Sequence, residues 1–193
     1  MMYDPLHCAL FLIPAFVLAG VLHSLWLHNR LSQLLAIPID GGRMFRGRRI
    51  LGENKTLRGF VMIPAAALAF ATLATIISLP QGVPPATLWQ LTPAGYAALG
   101  AWAGFGFMAA ELPNSFVKRQ FGILPGQAPA SRLAKMICFT VDQFDSVVGS
   151  LAAVAVVVHT PWITWLWVLI VGPSIHLLFS WWLFRLGVKG RRA

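Results

Sequence analysis

Five apolar runs, each close to the length that crosses a bilayer, divide this chain of 193 residues. A hydrocarbon core of about 30 Å takes roughly 20 apolar residues in a helix. The runs extend from about Leu6 to His28, Gly59 to Leu79, Pro93 to Glu111, Val141 to Val158 and Pro161 to Leu186. Pro14 falls inside the first, and Pro113 is expected to stop the third. Trp162, Trp165, Trp167, Trp181 and Trp182 suit interfacial anchoring in the fifth. With 58% hydrophobic and 11% charged residues, a soluble domain of this size could not hide its apolar surface. The expectation is an all-α, polytopic membrane protein forming one domain over residues 1–193. The first run has no basic segment before it and ends in Trp26, His28 and Arg30 rather than at a small-residue cleavage site. It therefore reads as a retained span.

The cations fix a direction. Arg30, Arg43, Arg46, Arg48, Arg49, Lys55 and Arg58 lie between the first two runs. Lys118, Arg119, Arg132 and Lys135 lie between the third and fourth, and Arg185, Lys189, Arg191 and Arg192 end the chain. The segment from Pro80 to Thr92 and the link around His159 have none. Cytoplasmic loops are the positive ones, so the N-terminus is expected outside and the C-terminus inside. A net charge of +9 then reflects membrane orientation and phosphate or headgroup contacts, and no nucleic-acid partner is expected. Asp40, Glu53, Glu111, Asp142 and Asp145 share the face of the cations, a concentration that orientation does not require. Cys8 and Cys138 fall on opposite sides and should not pair.

Asp142-Gln143-Phe144-Asp145 places two carboxylates on one face of a helix. Acids inside a span are costly and usually face the bundle interior or water. Two so close repel unless a cation or proton lies between them, and Mg²⁺ favours one or two carboxylates together with substrate phosphates. The alternative is an exposed helix start, where acids suit the dipole. Glu111 ends the third run and is either a third oxygen ligand or a solvated surface group.

The segment from Asp40 to Gly59 mixes glycines with Lys and Arg. It can cradle a polyphosphate through close backbone approach and charge, or merely orient the protein and touch anionic lipids. It lacks the Walker spacing. Asn114 can cap a short surface helix in which Phe116, Val117 and Phe121 lie in the interface while Lys118 and Arg119 reach headgroups. Gly100 with Gly104, and Gly149 with Ala153, are small-residue pairs suited to close helix packing. His7, His23, His28, His159 and His176 show no metal spacing and read as structural. No Ser-His-Asp set and no partnered cysteine nucleophile is present.

Three motifs in order resemble those of the CDP-archaeol synthase family: Gly52-Glu-Asn54-Lys55-Thr56-Leu-Arg58-Gly59, Glu111-Leu-Pro-Asn-Ser115-Phe-Val-Lys118-Arg119, and Asp142-Gln143-Phe-Asp145. That family is similar to phosphatidate cytidylyltransferase, whose Ser-x-x-Lys-Arg, Pro-Gly and Asp-x-x-Asp positions are filled by Ser115, Lys118, Arg119, Pro125, Gly126, Asp142 and Asp145. Glu111 stands where the family pattern has Asp, and the His-Gly-Gly of the larger relative is missing.

The resemblance implies a cytidylyltransferase that joins CTP to a membrane lipid phosphate, archaeol-type or phosphatidate-type, and releases pyrophosphate. It implies Mg²⁺ held by Glu111, Asp142 and Asp145. Lys55, Arg58, Lys118 and Arg119 would contact phosphates, and Asn54, Thr56, Ser115, Gly52 and Gly59 would complete substrate binding. Arg48 and Arg49, outside the motif, are expected to matter less. The partners implied are CTP, a lipid phosphate, the bilayer and, as a further candidate, a second copy of the chain. A CTP-dependent lipid kinase would use similar parts but would need a base near its alcohol. A transporter or scaffold would show polar residues in mid-membrane.

Overall fold

The computed structural model describes residues 3–187, so Lys189, Arg191 and Arg192 lie outside the described residues. Five long helices follow one another: α1 (Pro5–His28), α2 (Met62–Ser78), α3 (Pro93–Gln120), α4 (Arg132–Val157) and α5 (Trp162–Arg185). Two of the boundaries correct the sequence reading. Pro113 does not stop α3, which runs on for two turns to Gln120. One missing backbone donor is tolerated where neighbouring helices hold the segment. The residues expected to form a separate surface helix are therefore the end of α3. Likewise α4 begins at Arg132, with the Ser131 hydroxyl accepting from the Ala134 amide at 3.1 Å. Asp142 and Asp145 thus lie about three turns inside a helix, and the exposed helix start is ruled out.

Four helices are long and apolar enough to cross a membrane: α1, α4, α5, and α2 together with the 3₁₀ turn that precedes it, Leu57–Ser78. α3 carries Glu111, Lys118 and Arg119 and is less apolar, yet it is the longest at 28 residues. One departure from an all-helical chain is a two-residue hairpin, β1 (Met44–Phe45) against β2 (Arg48–Arg49). Its turn uses Gly47 and, unusually for a residue with a side chain, Arg46 at positive φ.

The helices close into a ring. α1 packs on α2, α2 on α3, α3 on α4, α4 on α5, and α5 returns to α1. At one end Thr164 of α5 donates to the Pro5 carbonyl at 3.0 Å, and buried Trp89 and Tyr96 plug the bundle, the Tyr96 hydroxyl donating to the Trp89 carbonyl at 2.7 Å. Toward the other end lie the first loop and the stretches of α3 and α4 that carry the three motifs.

Glycines set the α2–α3–α4 spacing. A Cβ at Gly104 would sit 2.8 Å from the Met62 carbonyl oxygen, and one at Gly100 would strike the Ala66 carbonyl. The Gly149–Ala153 pair faces Gly106 of α3, a contact that the sequence reading missed: a Cβ on Gly106 or Gly149 would collide with the other's carbonyl. Overpacking such a contact costs about 1–3 kcal/mol. Gly106→Ala is expected to lower the thermal unfolding midpoint in detergent by several degrees, and an unchanged midpoint would show that the helices are free to separate there.

Candidate active site

The three motifs meet in one cavity of about 550 Å³ inside the helix ring. Asn54, Lys55, Thr56, Arg58 and Gly59 line it from the first loop, Glu111, Ser115, Lys118 and Arg119 from α3, and Asp142 and Asp145 from α4. Gly52 is the exception. It does not line the cavity; at positive φ it lies against Pro125 and Arg119, and its amide donates to Asp40 at 3.0 Å.

Asp40 explains why the first loop has a shape. Its carboxylate is buried and accepts from the amides of Gly42, Leu51 and Gly52 and from the Arg49 guanidinium. Burial by itself would raise its pKa, but Arg49 and the three amides outweigh that and hold the group well below the usual carboxylate range. A carboxylate with a depressed pKa stabilises the fold above its unfolded value of about 3.9, and this contribution is lost as pH falls through the lower folded value. The brace is therefore complete at neutral and mildly acid pH. Arg49 thus supports Asp40, while the Arg48 guanidinium donates to the Gln120 carbonyl. Asp40→Asn should speed hydrogen exchange at the Leu51 and Gly52 amides by roughly tenfold to a hundredfold, since bonds to a charged acceptor are worth about 1.5–3 kcal/mol. Unaltered exchange would mean that the loop is held by other contacts.

Braced in this way, the motif segment runs beside residues 37–40, with one bridge between Pro38 and Thr56. The Ile39 amide donates to the Lys55 carbonyl at 2.9 Å and the Leu57 amide to the Ile37 carbonyl at 3.0 Å. Trp26 of α1 donates to the Arg58 carbonyl at 3.1 Å, which ties the segment to the bundle. The Lys55 ammonium reaches across to Glu111.

The carboxylates form a connected chain. The Ser146 hydroxyl lies 2.9 Å from Glu111 and 3.1 Å from Asp145. The Asn114 amide nitrogen donates to Asp145 at 2.7 Å and to Asp142 at 2.6 Å. Lys118 then caps Asp142 through both oxygens. Asn114 and Ser146 are linking residues that the sequence reading did not assign. The Asn114 side chain is no helix cap, because the helix continues through it. A helical wheel drawn through Pro113 would have found it three residues after Glu111 and four before Lys118.

Arg119 differs from the other cations. Its Nε and Nη1 are buried and have no hydrogen-bond partner, so a charged donor stands ready for an anion. Among the described residues no three His, Cys, Asp or Glu side chains form a ready-made metal cage. Lys55, Lys118 and Asn114 bond the carboxylate oxygens instead. His23 and His176, expected to be structural, also line the cavity.

Residues 10–191 match the CDP-archaeol synthase (CarS-like) family. The chain belongs to the CDP-archaeol synthase family. It is an enzyme and a multi-pass membrane protein. CDP-archaeol synthase of Halobacterium salinarum is 34% identical over 159 residues, 79% of this chain and 81% of the relative. That of Halorubrum lacusprofundi is 35% identical over 163 residues, covering 79% and 81%. That of Methanopyrus kandleri is 35% identical over 149 residues, covering 76% and 70%. A solved structure of an intramembrane enzyme for archaeal membrane lipids biosynthesis shares the fold, with a TM-score of 0.51 at 22% identity over 92% of each chain.

Proposed function

We propose that this protein transfers the cytidylyl group of CTP to the phosphate of an archaeol-type lipid and releases pyrophosphate, in membrane lipid biosynthesis. The observation that carries the reading is the continuity of one cavity. Its charged end holds Lys55, Arg58, Lys118 and Arg119 against Glu111, Asp142 and Asp145, and its other end is walled by Ile13, Phe16, Val168 and Ile175. A ligand that fills both halves is an amphiphile with an anionic head.

The reaction suits these groups. An oxygen of the lipid phosphate forms a bond to the α-phosphorus of CTP, and the bond from that phosphorus to the β-bridging oxygen breaks. The electron pair leaves on pyrophosphate. The nucleophile is an anion at neutral pH, so no general base is needed, and catalysis reduces to alignment and charge. Lys55 and Lys118 already lie within reach of carboxylates and can turn to phosphate oxygens. Arg119 offers two unengaged nitrogens, Nε and Nη1, to phosphate oxygens. Asn54, Thr56 and Ser115 supply neutral hydrogen bonds in the same cavity.

The donor set also fits Mg²⁺, because Glu111, Asp142 and Asp145 are all hard oxygen ligands joined through Ser146 and Asn114. When bound there, the ion would screen the repulsion between two phosphate anions and stabilise the leaving pyrophosphate. Asn114 and Ser146 would keep the three carboxylates in register while Lys118 and Lys55 move to substrate.

Purified protein with CTP, Mg²⁺ and a panel of lipid phosphates is the test. Pyrophosphate and CDP-lipid should appear together. Release of CDP would instead identify a lipid kinase, and no turnover of any lipid phosphate would overturn the reading.

We further propose five crossings, with α3 as the third, the N-terminus outside and the motif end of the cavity in the cytoplasm. The support is that the loop cations of the described residues lie at that end. Single cysteines at exposed Gln81 and Gln127, in a chain lacking Cys8 and Cys138, should label from opposite sides of intact cells. Labelling of position 127 from outside would reject this orientation.

A further inference from the structure

On α5 the cavity is lined mostly by apolar residues, from Val168 through Gly172 and Ile175 to Phe179 and Leu183, and the charged motif residues face it from the first loop, α3 and α4. His176 is the titratable side chain that α5 brings to this lining. It lies near Glu111, and its ring meets Phe107 edge-on with centroids 6.4 Å apart. Its Nδ1 is buried from water and has no hydrogen-bond partner. A buried polar nitrogen without a partner is costly, and native structures seldom keep one without a use. His23, on α1, also keeps a buried ring nitrogen without a partner, Nε2, but it lies beside Gly59 of the first loop.

The ligand of the proposed function has a matching feature. Between its phosphate and its tails, a glycerol lipid carries linkage oxygens that accept hydrogen bonds and donate none. A neutral imidazole with its proton on Nδ1 is a donor of the right kind. Charged groups would be poorly placed so deep, whereas a neutral donor satisfies an acceptor at little cost of desolvation.

We propose that His176 donates from Nδ1 to a glycerol-linkage oxygen of the lipid phosphate and so selects glycerol lipids over simple long-chain alkyl phosphates. The proposal rests on the lipid-phosphate reading above. A site that hydrogen-bonds a substrate oxygen discriminates against the analogue lacking it, because the buried donor is then left unpaired.

The experiment compares a dialkylglycerol phosphate with a branched long-chain alkyl phosphate that has no linkage oxygens. Wild type should favour the first. His176→Leu should raise KM for the glycerol lipid about tenfold, the size of one lost neutral hydrogen bond. It should leave KM for CTP and the rate with the alkyl phosphate within about twofold. His176→Asn, whose amide nitrogen can stand where Nδ1 stands, should recover most of the preference. Equal losses on both lipids, a KM for CTP that moves in step, or no loss at all would overturn the assignment. Lipid binding without CTP, read as the rise in unfolding midpoint, provides the same contrast apart from turnover. A protein that makes no CDP-lipid but still distinguishes the two lipids through His176 refutes the reaction and keeps this contact. The wild-type midpoint of unliganded His176→Leu is the check on folding; should that variant unfold early, His176→Phe replaces it.

Discussion

Asp145→Asn is expected to lower CDP-lipid formation by about a hundredfold to a thousandfold, the range for losing one preorganised electrostatic group. The substitution keeps the shape and removes the charge. Asp145 accepts from the Ser146 amide through Oδ1 at 2.7 Å and from Asn114 through Oδ2 at 2.7 Å, so an Asn carbonyl can keep one of those bonds while its amide nitrogen faces the other donor. The protein should still insert and fold, with an unfolding midpoint lowered only by the one lost bond. Asp142→Asn should be as inactive, although it also frees Lys118 from its partner. Activity of the wild type should vanish with chelator and return with Mg²⁺. Either variant turning over near the wild-type rate would show that its carboxylate is no essential ligand.

Lys55→Ala carries the second large effect. Loss of a charge-assisted phosphate contact costs about 1.5–3 kcal/mol, or roughly tenfold to more than a hundredfold in rate. Arg58→Ala should fall in the same range, and Lys55→Arg should be impaired because a planar fork and a point charge meet phosphate differently. Arg48→Ala should be much milder. Arg49→Ala should not be mild, since it strips the guanidinium from buried Asp40 and loosens the loop that presents Lys55. Lys55 also neutralises Glu111, and the double variant Lys55→Ala with Glu111→Gln separates the two roles. If neutralisation were the whole task, the pair would recover activity. If both groups serve the reaction, the pair is no better than the worse single variant. The readout is CDP-lipid formed per inserted molecule. Full activity in Lys55→Ala would remove the cradle from the mechanism.

The charged residues at the site were legible in the sequence because each is unusual where it stands. Carboxylates within or beside apolar runs, and lysines and arginines gathered between the same runs, have few bland explanations. The residues that connect them were not. Asn114 and Ser146 are ordinary as letters, and their linking place lies in what other helices bring opposite them. Asn114 was hidden further by Pro113, which reads as a stop when a helix is judged by its own hydrogen bonds alone. The start of α4 was missed for a related reason: an apolar window finds the membrane-crossing part of a helix and ignores its polar first turns.

The sequence by itself determined the long helices, the clustering of charge and the three motifs, because hydrophobic length and local spacing depend only on neighbours along the chain. Only the tertiary structure decided that the helices close into a ring, that Asn114 and Ser146 link the carboxylates, and that one cavity runs from Lys55 to Val168. Those outcomes depend on groups far apart in sequence meeting at hydrogen-bond or van der Waals range. Glycines such as Gly106 and Gly149 make that possible by letting whole helices approach. The forces involved act over a few ångströms in space, and chain order carries no measure of that distance.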